Sequence, residues 1–277
     1  MRRFFRVRYL KAVTLILAVA ACAVSCPKEG PEGETRETGF VFAPYPNIIA
    51  CETFDKFPPG RLSSSFEFEW DAMAENTRTG IFWLSLYPIA GAGRADIVRE
   101  GGRSALRLWR TGGMSTNGIT PQSYLFFIPH EEIAPAVRNQ RRNLLLQYQI
   151  RLENAANVSA HTTVYHSNEQ EPDMGPCSVD TLVNGRGKFR VHTNDYEWAE
   201  FPAGQNAWHS VEILIDYRTR TYKVYLDGRF LTMNYEYQQS NTLGFGKVGW
   251  YCDSPNMAMY ITNITISTNA AFEVLKL

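Results

Sequence analysis

The sequence predicts an all-β fold, an antiparallel sandwich of two sheets. Most of the chain after residue 50 consists of short runs rich in β-branched and aromatic residues, and turn-forming residues separate many of these runs. A helical composition occurs at Glu131 to Arg142, but Pro135 interrupts that segment. In the last third, two neighbouring runs alternate apolar and polar residues, as strands with one buried face do. Short strands, frequent turns and little helix are typical of an antiparallel sandwich.

The predicted strands follow one another along the chain. In the first half they are the runs 66–70, 81–87, 105–109 and 144–152. In the second half they are the runs 161–166, 189–193, 210–216, 222–227, 247–252 and 257–267. Their lengths and their β-branched and aromatic residues fit strands of a sandwich.

The segment 210–231 is predicted to form a hairpin followed by a tight turn. The residues expected to face the core are Val211, Ile213, Ile215, Tyr222, Val224 and Leu226. Each of them alternates with residues expected on the opposite face of the strand, so each strand has one buried face. Asp227-Gly228 then forms the tight turn, because this pair tolerates the positive φ angles of a type I′ turn.

The N-terminus predicts an exported protein that is anchored through a lipid. Residues 2–11 carry five basic side chains, and an apolar run of ten residues, 12–21, ends at Cys22. Ten helical residues rise about 15 Å, half the hydrocarbon thickness of a bilayer, so a removable signal is favoured over a membrane span. Residues 19–22 (VAAC) resemble the bacterial lipobox, whose cysteine is acylated and becomes the new N-terminus. Cys26 is the alternative lipidation site, and an ordinary secretory signal with incidental cysteines is the less favoured interpretation.

The chain therefore divides into three predicted parts: a lipoprotein signal peptide at 1–21, a flexible tether at 22–49 and a β-sandwich at 50–277. Residues 27–48 begin with many Pro, Gly and Glu residues and have too little apolar content to fold alone. The expected location is the bacterial cell envelope, with the lipid in the outer membrane and the domain on its periplasmic or surface face.

The charge of the chain limits the classes of partner it can bind, and its cysteines limit the disulfides it can form. Residues 1–21 carry five of the 28 basic side chains and no acidic one, so the remainder carries 23 basic against 28 acidic side chains. This acidic balance argues against a nucleic-acid partner, since phosphate binding needs a basic face.

If Cys22 is acylated, four cysteines remain, and the environment of an exported protein permits disulfides between them. All three possible pairings of these four stay open. The four are Cys26, Cys51, Cys177 and Cys252.

Segments at both ends of the predicted domain resemble concanavalin A-like (laminin G-like) jelly rolls. The C-terminal segments are 208–216 (WHSVEILID), 222–228 (YKVYLDG), 247–252 (KVGWYC) and 259–267 (MYITNITIS). The N-terminal segments are 53–60 (TFDKFPPG) and 102–108 (GRSALRL). The resemblance spans nearly all of residues 50–268 and implies an antiparallel two-sheet jelly roll of the lectin and glucanase type. Its motifs are structural, so they specify the fold and leave the function open.

Jelly rolls of this type act through one curved sheet face, so polar residues on the outer side of predicted strands are candidates for ligand binding. Alternation within 144–152 places Gln147, Gln149 and Arg151 outward. Alternation within 188–192 does the same for Arg190 and His192. Two further candidates are His166 and, as a surface aromatic, Trp198. Such groups can hydrogen-bond sugar hydroxyls, and an arginine can bind a uronate or a sulfate. The alternative is that they are ordinary polar residues on the wet side of a sheet.

Enzymatic activity is less favoured than binding. Retaining glucanases with this fold use an E-x-D-x-x-E strand, which places two carboxylates about 5 Å apart. The segment 161–166 lies roughly where that strand is expected, and it holds no carboxylate. Polysaccharide lyases on a related jelly roll use Arg, Gln, His and Tyr, and these residue types are present here. The characteristic lyase motifs are missing, and only the segment 247–251 resembles one of them weakly. No catalytic residue is therefore assigned.

The prediction is a lipid-anchored β-sandwich that binds a polysaccharide or a surface protein without catalysis, and a lyase or glycoside hydrolase acting on the same face is the alternative. No cofactor is predicted. Asp55 and Asn263 match regions where some of these sandwiches hold structural calcium, but Asn263 lacks the charge of the usual Asp, so calcium is not predicted. Trp109 and Trp208 are expected in the core.

Overall fold

The computed structural model describes residues 39–62, 66–68, 79–86, 93–110, 123–129, 143–153, 159–167, 177–184, 187–192, 198–204, 206–231, 235–236, 244–252 and 258–269. Within these residues the chain forms two antiparallel sheets. None of the residues in these ranges is helical, and none forms a helix long and apolar enough to span a membrane. The predicted all-β, two-sheet jelly-roll class is confirmed. The segment 131–142, which has a helical composition, lies outside the described residues.

Ten strands form the first sheet, here called sheet A. They are β1 (Asn47–Glu52), β2 (Gly60–Leu62), β5 (Gly93–Glu100), β6 (Arg103–Arg110), β8 (Asn143–Glu153), β13 (His209–Asp216), β14 (Thr221–Leu226), β15 (Arg229–Phe230), β16 (Tyr235–Glu236) and β18 (Ala258–Thr268). The main order is β15-β14-β13-β8-β18-β6-β5-β2, with β1 paired to β18 and β16 paired to β14. Neighbours in this order are often distant in sequence, so crossovers between the sheets build the sandwich.

Eight strands form the second sheet, sheet B. They are β3 (Phe66–Phe68), β4 (Gly80–Leu86), β7 (Ser123–Pro129), β9 (Ser159–Ser167), β10 (Cys177–Asn184), β11 (Lys188–His192), β12 (Trp198–Pro202) and β17 (Gly244–Cys252). Their order is β12-β11-β10-β9-β17-β7-β4-β3. The sequence prediction included five of these eight strands and omitted β7, β10 and β12. Of these, β7 pairs with both β4 and β17.

The core lies between the sheets and follows the predicted alternation. In β8 the side chains facing the core are Leu144, Leu146, Tyr148, Ile150 and Leu152. Tyr148 meets Trp250 of β17 edge to face, with ring centroids 5.9 Å apart. The Tyr148 hydroxyl also lies 3.3 Å from the Thr181 hydroxyl of β10. These contacts join the middle of sheet A to the middle of sheet B.

The turn after β14 has the predicted geometry and is held by a buried histidine. Asp227 and Gly228 have φ angles of 49° and 75°, as a type I′ turn requires. The Asp227 carboxylate lies 2.7 Å from Nδ1 of His209 and accepts the Ser210 N–H at 2.9 Å. Nε2 of His209 lies 2.9 Å from the carbonyl oxygen of Gly204. This arrangement links the turn to the segment that leads into β13.

His209 and Asp227 shift each other's pKa. Burial opposes the charged form of His209, but its hydrogen bonds to Asp227 and Gly204, together with the Asp227 charge, outweigh burial and raise the histidine pKa. Burial likewise opposes the charge of Asp227, but the hydrogen bonds from His209 and the Ser210 N–H and the His209 charge lower the aspartate pKa. Both shifts favour an ion pair that stabilises this corner of the fold.

Cys51 in β1 is disulfide-bonded. Its partner is one of the four other cysteines, whose side chains all lie outside the described part of the structure. The structure therefore shows that Cys51 is oxidised and leaves all three pairings of the sequence analysis open. Cys22 and Cys26, the two candidate lipidation sites, precede the first described residue.

Candidate functional site

The structure divides the predicted ligand-binding residues between the two sheets. Gln147, Gln149 and Arg151 lie on β8 of sheet A. Arg190 lies on β11 of sheet B. The other three candidates, His166 of β9, His192 of β11 and Trp198 of β12, also belong to sheet B, but their side chains are outside the description. Because the sheets face each other across the core, the two groups cannot form one groove.

An N-terminal segment, residues 39–45 and here called the strap, covers the outer face of sheet A at β8 and β13. Gln147 and Gln149 are 2% and 4% exposed, and Glu212 of β13 is fully buried beside them. The Glu212 carboxylate accepts the N–H of Val41 at 2.8 Å and the N–H of Phe42 at 3.0 Å. The strap lies within the stretch that composition assigns to the tether, and it occupies the polar row expected to bind ligand.

The two glutamines are fully engaged in this arrangement. Nε2 of Gln147 donates to the Phe42 carbonyl at 2.8 Å and to Glu212 at 3.0 Å. Gln149 accepts from Nδ2 of Asn263 at 2.7 Å. Gln147 thus holds the strap on the sheet, Gln149 is held by residues of the sheet itself, and neither side chain is accessible to an external ligand.

Arg151 continues the same row but belongs to a cluster of arginine and aromatic side chains. Its guanidinium lies 4.1 Å from the ring centroid of Tyr260 and 5.6 Å from that of Trp208. It also pairs with Glu100 at 2.7 Å. Trp208 is half-buried over this outer face, so its assignment to the core is wrong: the ring packs on arginine side chains.

Tyr260 connects Arg151 to a second arginine. The guanidinium of Arg107 lies 5.6 Å from the Tyr260 centroid and 5.0 Å from that of Trp109. Trp109 is also half-buried on the outer face rather than in the core, and its Nε1 donates to Asp96 at 2.7 Å. Burial and a hydrogen bond to Glu153 raise the pKa of Tyr260 to about 12, although the charges of Arg107 and Arg151 oppose the shift. The contacts within this cluster stabilise the outer face of sheet A.

The outer face of sheet B carries a row of rings, here called the aromatic belt, which crosses four adjacent strands. Its members are Trp83 on β4, Tyr124 and Phe126 on β7, Tyr251 on β17 and His161 on β9. Each alternates with residues that face the core, so the belt points away from it. Trp83 is 38% exposed and the other four are partly exposed.

Each ring of the belt contacts the next one, from β4 across β7 and β17 to β9. Trp83 stacks on Phe126 with centroids 5.9 Å apart, and Phe126 stacks on Tyr124 at 5.4 Å. Tyr124 lies 5.3 Å from Tyr251, which stacks almost parallel on His161 at 4.7 Å. The result is a continuous apolar platform with polar edges, oriented across the strands.

Strand register explains why these rings meet. Trp83 lies opposite Phe126, and Phe126 lies opposite Gly249 of β17. Gly249 has no side chain, and a Cβ built there would lie 2.6 Å from Cε1 of Phe126. Glycine at this position therefore lets the Phe126 ring lie over the neighbouring strand, where the belt needs it.

Cationic side chains border the belt. Nζ of Lys247 lies 5.1 Å from the Phe126 centroid and 4.8 Å from that of Tyr165 on β9. Further along sheet B, Arg190 forms a salt bridge with Glu200 of β12. The face thus combines stacking surfaces with lysine, imidazole and phenol groups that can bind hydroxyl or acidic groups.

Sequence alternation alone did not identify the belt. Three of its members, Trp83, Tyr124 and Phe126, lie in runs that are apolar on both faces, 81–87 (IFWLSLY) and 123–129 (SYLFFIP). Such runs are compatible with a strand, but they do not show which ring faces outward. A glycine opposite large aromatic residues, as at Gly249, would indicate such a belt, but this pairing can be recognised only when the neighbouring strands are known.

The structure gives no support for a calcium site at Asp55 and Asn263. The Asp55 carboxylate accepts from the Ser104 hydroxyl at 2.6 Å and lies 3.7 Å from Nη1 of Arg99, so a guanidinium supplies its counter-charge. The Asn263 amide instead donates to Gln149. Among the described residues no group of His, Cys, Asp and Glu side chains could hold a metal ion.

No protein-family model matches the chain. Solved structures resemble it in fold. A sialidase superposes with a TM-score of 0.51 at 14% identity, covering 80% of this chain and 19% of that chain. A family 7 alginate lyase, A1-II′, in complex with substrate gives a TM-score of 0.44 at 9% identity, covering 73% and 85%. The carbohydrate-binding module CBM66 from Bacillus subtilis gives 0.40 at 13% identity, covering 71% and 99%. The chain spans about a fifth of the sialidase, and at these identities the likeness concerns the fold alone: an antiparallel jelly-roll β-sandwich.

Proposed function

We propose that this protein is a carbohydrate-binding β-sandwich that holds its ligand on the aromatic belt of sheet B without catalysis. The observation that carries the proposal is the continuous contact of Trp83, Phe126, Tyr124, Tyr251 and His161 across four strands. The solved structures share only the fold, so the support comes from the geometry of this face.

The physical argument concerns the two kinds of surface that a sugar presents. The C–H faces of a pyranose ring are apolar and pack on aromatic rings, whereas its hydroxyl groups need hydrogen-bond partners at the edges. The belt offers rings at its centre, and the Tyr124, Tyr251 and His161 side chains provide polar atoms. The row crosses four strands spaced about 4.8 Å apart, so it suits a chain of several sugar units better than a single one.

A polysaccharide lyase that acts on this same face is the second candidate. It is favoured by the position of Tyr251 directly beside His161 on adjacent strands, with Lys247 on the same strand as Tyr251. β-Elimination requires a base to abstract a proton, an acid for the leaving oxygen and a group that neutralises a uronate. These residue types could supply those functions. A hydrolase is disfavoured. Among the side chains described on sheet B, the carboxylate is that of Glu200 on β12, which lies three strands beyond the belt and pairs with Arg190.

The experiment that separates these functions exposes the purified protein to neutral, uronate-containing and sulfated polysaccharides and records both binding and products. We expect saturable binding to at least one class, with no new reducing ends and no unsaturated products. Unsaturated products that disappear in Tyr251→Phe would establish the lyase instead. A blank response to every polysaccharide, together with specific capture of a surface protein, would replace the sugar ligand by a protein ligand.

We also propose that the chain is a lipoprotein of the bacterial cell envelope, anchored at Cys22 with Cys26 as the alternative. The support is the basic segment, the apolar run of ten residues and the VAAC sequence that ends it. The expected result is labelling by palmitate that is lost in Cys22→Ser. If Cys22→Ser keeps its label but Cys26→Ser loses it, the anchor lies at Cys26, and label retained in the double variant would exclude the anchor.

A further inference from the structure

Exposed apolar side chains lie where the strap crosses the edge of sheet A. Val41 is 52% exposed, and Phe230 of β15 is 50% exposed. A Cβ built on Gly228 would lie 3.7 Å from Cγ2 of Val41, and Phe230 lies opposite Tyr225 of β14. Val41 and Phe230 are two of the three large apolar side chains that are exposed among the described residues, and Trp83 of the belt is the third. Exposed apolar side chains that lie together mark a contact surface.

Aromatic contacts join these side chains into one surface. The centroid of the Tyr225 ring lies 5.0 Å from that of Phe42 and 5.2 Å from that of Phe230. Val41, Phe42, Tyr225 and Phe230 are here called the edge patch. Because Glu212 accepts the N–H groups of Val41 and Phe42, the strap residues of the patch are held on the sheet. The edge patch is therefore preformed.

Basic side chains continue this surface along β14. Residues 216–231 contain four basic and two acidic side chains. The basic ones are Arg218, Arg220, Lys223 and Arg229. One of the acidic ones, Asp227, is already paired with His209. Lys223 is exposed and lies two residues before Tyr225 on β14, so both side chains share the outer face of the sheet.

This combination of side chains suits the surface of a lipid bilayer. Apolar and aromatic side chains enter the boundary between the headgroups and the acyl chains, where their apolar area leaves water. Lysine and arginine side chains attract anionic headgroups and can extend their charged ends toward them. The edge patch supplies the first component, and the basic residues of 216–231 supply the second.

The proposed lipid anchor leads to this same edge. Gly39, the first described residue, lies at the turn after β14, because a Cβ built on Gly228 would lie 3.5 Å from the Gly39 carbonyl oxygen. Sixteen residues, 23–38, separate Cys22 from Gly39. A flexible chain of that length separates its ends by about 20–25 Å on average. An acylated Cys22 would therefore keep the edge patch close to the bilayer, at a high effective concentration.

We propose that the edge patch and the adjoining basic side chains bind the domain to the surface of a lipid bilayer. Val41 and Phe230 enter the interface, and Lys223 contacts anionic headgroups. Sheet B forms the other side of the sandwich, so the belt points away from the bilayer and stays open to a polysaccharide. This inference rests on the proposed lipid anchor, which places a bilayer, rather than another surface, beside this edge.

The test uses the acylated protein, reconstituted into vesicles of neutral phosphatidylcholine and anionic phosphatidylglycerol that contain a photoactivatable lipid. Mass spectrometry locates the residues that the lipid labels after illumination. We expect the peptides that contain Val41 and Phe230 to be labelled at least about fivefold more than the peptide that contains Trp83. Trp83 is the internal comparison, because it is an exposed aromatic residue on the opposite sheet.

Two charge reversals test the basic side chains. Lys223→Glu should lower the labelling of Val41 and Phe230 at least about threefold, because it replaces attraction to anionic headgroups by repulsion. Lys188→Glu is the matched control, since it makes the same change on β11 of sheet B, and it should leave the labelling unchanged. Equal labelling of Trp83, or equal effects of the two variants, would overturn the proposal. Val41 and Phe230 that stay unlabelled while Lys223 cross-links to a protein would also overturn it, because a protein then covers this edge.

The anchor and the contact surface can fail separately. If the protein carries no acyl chain, the lipoprotein proposal fails, and the same vesicles are then added in excess to the unacylated protein. Labelling of Val41 and Phe230 above that of Trp83 would still support the contact surface. Absence of that difference would contradict it.

Discussion

Replacement of Trp250 by alanine is expected to destabilise the protein by about 3–5 kcal/mol, among the largest effects of a single substitution in this fold. Trp250 is fully buried on β17, between β9 and β7, and its ring meets Tyr148 of the opposite sheet. Alanine would remove the aromatic contact that joins the two sheets and leave a cavity that the paired strands cannot close. Urea denaturation monitored by far-ultraviolet circular dichroism measures the change.

Trp83→Ala is the matched control, because it removes the same side chain from the other face of the same sheet. Trp83 is 38% exposed, and we expect its loss to cost less than about 1 kcal/mol of stability. Equal destabilisation by the two variants would contradict the assignment of Trp250 to the core and Trp83 to the outer face.

Loss of belt residues is expected to have the largest effect on ligand binding. Trp83→Ala and Tyr251→Ala should each weaken binding of the responsive polysaccharide by roughly tenfold, about 1.4 kcal/mol, because each removes one stacking surface. Isothermal titration calorimetry with oligosaccharides of increasing length measures the effect. Phe230→Ala is the control, since Phe230 is a 50% exposed aromatic residue on sheet A. A loss of binding in Phe230→Ala, or none in the belt variants, would place the site elsewhere.

Gly249→Ala tests how the belt is positioned. The added Cβ would lie 2.6 Å from the Phe126 ring and must displace it, so binding should weaken although no ring is removed. In a Phe126→Ala background the same change should have no further effect, because the two residues act through one contact. Additive effects in this double-mutant cycle would show that Gly249 acts by another route.

Much of the fold was predictable from local patterns. Alternation in 144–152 correctly placed Leu146 and Tyr148 inward and Gln147 outward, because side chains on a strand alternate strictly between its two faces. The Asp227-Gly228 turn was predictable for a similar reason, since few residue pairs accept two consecutive positive φ angles. Lipidation at Cys22 stays a sequence prediction.

The candidate site was not predictable in the same way. Alternation shows that Gln147 and Arg190 each point outward, but it does not show that they belong to opposite sheets. It also does not show that the strap covers Gln147, since that contact joins residues 105 positions apart.

The sequence by itself determined the class of the fold, the inward face of its clearest strands and the tight turn after β14, because each depends on residues close together in the chain. The tertiary structure alone decided which outward residues become neighbours. It buried Gln147 of sheet A under the strap, and it aligned the five rings of the belt across four strands of sheet B. Strand order and register bring these distant residues together, and local sequence carries no direct record of either.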